Sequence, residues 1–132
     1  MAALPVWASN KFYGADAGGA AGARLPIAGA AIDLPKGYKL TVRDLLLASG
    51  VPAGWQDFWV ALIETDGVTV VEEFGVMRFW LDGFETLKPD NLVFVGDTND
   101  AGTNRIVRIE SQDTGAVACA RFASMTFNID KR

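Results

Sequence analysis

The chain has 132 residues, half of them hydrophobic, 21% charged and none histidine, with a formal charge of −4. That length suits one domain with a self-sufficient core, and the acidic balance argues against broad phosphate neutralisation, so no nucleic-acid partner is expected. A single cysteine, Cys119, excludes an internal disulfide, and the lack of histidine removes the commonest near-neutral general base, histidine-based triads and most zinc sites.

Met1 to Trp7 lacks the basic start and long apolar centre of a secretory signal. No apolar run approaches the roughly 20 residues that cross a bilayer. The expectation is therefore no membrane partner, and a place in a virion or the cytoplasm. Residues 15–31 are mostly alanine and glycine, which cost much entropy to order and bury little area in return. Residues 1–35 read as an extended Ala/Gly-rich arm that must lie on its own domain or on a neighbouring subunit to be ordered. Its apolar anchors give the expected interface: Trp7, Phe12, Tyr13, Leu25 and Ile27. Residues 36–132 read as a single β-rich domain.

Thr41 looks like a helix N-cap, with Asp44 three residues on and Gly50 and Pro52 as stop signals, so one short helix is predicted over 42–49. Residues 55–65 are apolar on both alternating faces, and Asp66-Gly67 is a turn signal. Together they predict an antiparallel pair over 59–65 and 68–73. Further strands are predicted over 74–81, 84–87, 92–95 and 105–111. A long last strand over 116–129 recurs with period two at Val117, Cys119, Ala123, Met125, Phe127 and Ile129, with Arg121 interrupting the face. Regular crossover helices are absent, so the predicted fold is mainly β: an antiparallel sandwich or partly closed barrel with one short helix and the extended N-terminal arm.

Chemistry is sparse. Asp97, Asn99 and Asp100 are weak metal candidates. As an EF-hand loop the segment fails at Ala101 and Arg108, and an Asx-rich turn is the simpler reading. The glycines of 14–22 never form a phosphate loop. The acidic pairs Asp57 with Glu64, or Glu72 with Glu73 and Glu85, have no diagnostic spacing. No catalytic residue and no cofactor is expected. Trp59 and Trp80 fall within apolar strands and are expected in the core, while Tyr38 and Trp55 are candidates for stacking on a glycan or other ligand. Arg78 and Arg121 enter largely apolar faces and call for a carboxylate partner or an interface. The best functional expectation is a non-enzymatic structural or assembly subunit, of the kind found in virions or capsid decoration, forming a homo-oligomer or meeting other protein subunits through its arm. The alternatives are a carbohydrate- or other ligand-binding β module and, behind it, a carboxylate-based hydrolase.

Overall fold

The computed structural model describes residues 9–16, 23–49, 54–81, 84–97, 104–113 and 120–132. In chain order the strands are β1 (Ser9–Asp16), β2 (Leu25–Leu34), β3 (Tyr38–Ser49), β4 (Gly54–Ile63), β5 (Val70–Leu81), β6 (Phe84–Leu87), β7 (Val93–Val95), β8 (Arg105–Asp113) and β9 (Arg121–Lys131). They form two antiparallel sheets. One has the order β1-β9-β3-β6, with β7 also paired to β3; the other has the order β2-β8-β4-β5. Neither sheet closes on itself, and no helix occurs among the described residues. This corrects the predicted barrel alternative and the predicted helix.

The helix fails for a definable reason. Residues 42–49 belong to β3, which pairs with β9 along its whole length, with a register shift between Val42 and Asp44. That bulge makes Leu40, Val42, Leu45 and Leu47 all point into the core. Their spacing of two, three and two residues breaks strict alternation and imitates helical periodicity. A central strand also receives apolar neighbours on both flanks, which outweighs the cap-like Thr41 and Asp44.

Two stretches of the segment read as an arm are strands. Ser9–Asp16 pairs with Arg121–Asn128 in one sheet, and Leu25–Leu34 pairs with β8 in the other. Alanine and glycine serve a close approach here. A Cβ on Gly14 would lie 2.2 Å from the carbonyl oxygen of Ala28 and 2.4 Å from the nitrogen of Ala30. Only glycine lets β1 touch β2 backbone to backbone, so one edge of each sheet is joined into a closed seam.

The hairpin around Asp66-Gly67 is present, with a wider connection of residues 64–69 between β4 and β5. The predicted strands over 68–73 and 74–81 are one strand, β5. The 84–87 strand exists but does not return along β5; it crosses to the other sheet and pairs with Leu45–Ala48 of β3.

The core lies between the sheets. Phe58, Val60 and Leu62 of β4 and Val107 and Ile109 of β8 meet Leu40, Leu45 and Leu47 of β3 and Ala123, Met125, Phe127 and Ile129 of β9. Complete burial of a Phe or Leu side chain is worth about 1.5–3 kcal/mol. An exposed ion pair gives about 1 kcal/mol at most. The sheets are therefore held together by apolar packing.

Candidate functional site: the open side

Opposite the closed seam, β5 and β6 form the free edges of the two sheets and do not pair with each other. Between them lies an apolar cavity of about 220 Å³, lined by Phe74, Met77 and Arg78 from β5 and by Leu87, Lys88 and Pro89 at and beyond the end of β6. The same two strands carry further exposed apolar side chains. Val70, Val71, Phe74 and Val76 of β5 are exposed, and Phe84 at the start of β6 is 70% exposed. A 12-residue edge strand leaves a row of backbone groups available for pairing, and natural proteins usually guard such an edge with charge or bulges. Here Glu72, Glu73 and Arg78 supply charge, while Gly75 and Val76 form a bulge opposite Trp59.

Charge on the neighbouring outer face of the β2-β8-β4-β5 sheet is internally matched. Arg24, just before β2, donates from Nε to Glu110 (2.6 Å) and from Nη2 to Glu73 (2.5 Å). Its guanidinium lies 4.1 Å from the centre of the Trp59 ring. Arg108 donates to Glu110 at 2.8 Å and to the carbonyl of Gly67 at 3.0 Å. Arg78 grips Asp57 through two bonds of 2.6 and 2.8 Å. On the inner side, Arg105 bonds Glu64 at 2.9 Å and the carbonyl of Val95 in the other sheet at 3.2 Å. Burial works against the charge on Arg24, but its bonds to Glu73 and Glu110 outweigh that and raise its pKa. Asp57 raises Arg78 in the same direction, first by hydrogen bonding and then by charge. Trp59 is thus a half-buried outer-face residue beneath Arg24, which corrects its expected place in the core.

The acidic residues singled out from the sequence are kept apart. Asp57, Glu64 and Glu73 are each engaged by a different arginine, and Glu85 belongs to the other sheet. Arg121 is buried and donates to the carbonyl of Ser111 at 2.9 Å. Thus Arg78 meets a carboxylate, and the contacts of Arg121 include a backbone oxygen.

Of the expected interface residues, Phe12 is half-buried against Phe127, ring centres 5.6 Å apart, and Ile27 is in the core. Leu25 is half-buried at the start of β2. Tyr13 is 68% exposed and stacks on Phe122 at 6.2 Å. Trp7 lies outside the described residues. The two stacking candidates are not brought together. Tyr38 packs on the core at the start of β3, opposite Lys131, while Trp55, 48% exposed, begins β4 in the other sheet.

Asp97 accepts a bond from the Gly37 N–H at 2.9 Å and pairs with Arg132. These partners, the Gly37 bond foremost, hold its pKa below the ordinary value. Asn99 and Asp100 lie outside the described residues, and among those described no group of three acidic, cysteine or histidine side chains is placed to hold a metal. No helix among the described residues is long and apolar enough to cross a membrane.

Sequence reasoning missed the open side because its residues come from two sheets. The one local signal was Phe84, a large apolar residue directly after the Asp82-Gly83 pair. Comparison of the chain with protein-family models, curated proteins and solved structures gave no match.

Proposed function

We propose that this chain is a non-enzymatic assembly subunit that self-associates through its open side. The observation that carries this reading is the run of exposed Val70, Val71, Phe74 and Val76 along a free strand edge, beside an apolar cavity that Phe74 shares with Leu87 of the other sheet. A contiguous exposed apolar surface of this kind marks an interaction site more often than it marks plain solvent-facing surface. Glu73 and Arg78 on the same strand already have partners within the chain, so the exposed apolar side chains are the feature a partner would cover.

The test is sedimentation of the full chain over a concentration series, beside Phe74→Ser and Phe84→Ser, one from each free edge. The reading expects wild type to associate and both variants to shift toward a 14.1 kDa monomer. A wild-type chain that remains monomeric at several hundred micromolar, a level set by the roughly −4 to −8 kcal/mol spanned by millimolar to micromolar affinity, overturns it.

A further inference from the structure

Resting on that reading, we propose where and how the copies meet: β5 pairs antiparallel with β5 of a second copy, about a two-fold axis through Gly75 and Val76. The bulge makes this pairing self-complementary. Phe58 is opposite Met77 and Val60 is opposite Phe74, so Gly75 and Val76 together face Trp59 and fill one rung of the ladder. Counted that way, the two rungs on either side of the bulge match in character. One rung to either side stand Phe74 and Met77, both on the core face because their β4 partners Val60 and Phe58 are core residues. Two rungs away stand Glu73 and Arg78, both on the outer face opposite Ala61 and Asp57.

A two-fold axis at the bulge therefore sets Phe74 against Met77 of the second copy and Glu73 against Arg78 of the second copy. Each contact occurs twice, as an isologous interface requires. Direct cross-strand neighbours of opposite charge or of apolar character stabilise a sheet, and like charges destabilise it. The outer face continues the pattern. Arg108, Glu110, Arg24 and Glu73 alternate in sign toward the edge of β5, and Arg78 and Asp57 of the second copy carry the alternation on. A foreign strand would need this charge order supplied independently; a second copy supplies it by symmetry. The two four-stranded sheets become one eight-stranded sheet, and the free edge disappears.

The experiment uses the full chain with Cys119→Ser. Its mass in solution is measured for the parent and for Val76→Lys, a change at a 54% exposed position. A nitroxide on Val68→Cys, beyond the paired region and 76% exposed, reports the distance between copies. The expected results are a dimer for the parent and a monomer with an unchanged circular dichroism spectrum for Val76→Lys. The label-to-label distance should be about 40 Å, from about six rungs of 3.4 Å on each side of the axis. If Val76→Lys does not fold, Val70→Lys on the same edge replaces it. Association that survives a well-folded lysine variant overturns the pairing and leaves the assembly reading standing. A dimer whose labels are far from 40 Å overturns the two-fold register. A parent chain that stays monomeric overturns both.

Discussion

On one side of the molecule β1 and β2 meet with Gly14 pressed against Ala28, Gly29 and Ala30; on the other, β5 and β6 stand apart around a cavity. The same two sheets end in both places. What differs is side-chain size. Where the edges carry glycine and alanine, the backbones come together. Where Phe74, Met77 and Leu87 stand between the edges, the backbones are apart around a cavity and apolar surface remains. The first side is thus completed by the chain itself, and the second is suited to completion by another molecule.

Gly14→Ala tests the closed side and carries the largest expected effect on stability. Its Cβ would meet backbone atoms at 2.2 and 2.4 Å, which cannot rotate aside. A loss of about 3 kcal/mol is expected by urea unfolding, the upper range for overpacking. Stability equal to wild type would show that the seam is not built on this approach.

Glu110→Ala comes next. Its carboxylate is 6% exposed and serves both Arg24 and Arg108, themselves 29% and 18% exposed. Removing it leaves two partly buried cations short of an acceptor. Full burial would cost about 3–5 kcal/mol; partial access to water reduces the expected loss to about 2 kcal/mol. A loss under half that value by the same unfolding measurement would show that Glu73 alone holds Arg24.

Phe84→Ser probes the open side and should separate stability from association. With its side chain mostly in water, the change is expected to move unfolding by no more than about 0.5 kcal/mol, while weakening self-association. A large stability loss in the monomer would mean that the open side is already packed internally.

The smallest effect concerns the loop that leads into β5. Asp66 accepts from the Thr69 hydroxyl and from the N–H groups of Thr69 and Val68. These bonds, the hydroxyl first, hold its pKa below the ordinary 3.8. A lowered folded pKa means the contribution is complete above the ordinary value and is lost as pH falls through the lower one. The Val68 and Thr69 amide resonances should therefore shift at a pH below the usual aspartate midpoint. A midpoint at or above 3.8 would remove the capping role.

Local signals carried much of the β architecture. Asp66-Gly67 marked its turn, and the alternation of Ala123, Met125, Phe127 and Ile129 gave the core face of β9. Among the small residues of the opening, Gly14 lies against Ala28, Gly29 and Ala30. Three features were not legible. The bulge at Val42 and Asp44 disguised β3 as a helix. The bond from Arg24 to Glu110 joins residues 86 positions apart, which no periodicity announces. The open side needs both sheets in place before Phe74 and Leu87 share a cavity.

Strand order also bears on how the fold is reached. β9 follows all the other strands in the chain yet lies between β1 and β3, and β8, the next latest, lies between β2 and β4. Neither sheet can be laid down strand by strand as the polypeptide emerges from a ribosome. Early strands must wait, unzipped, for the insertion of late ones, so productive folding is dominated by distant closures, which are intrinsically slow.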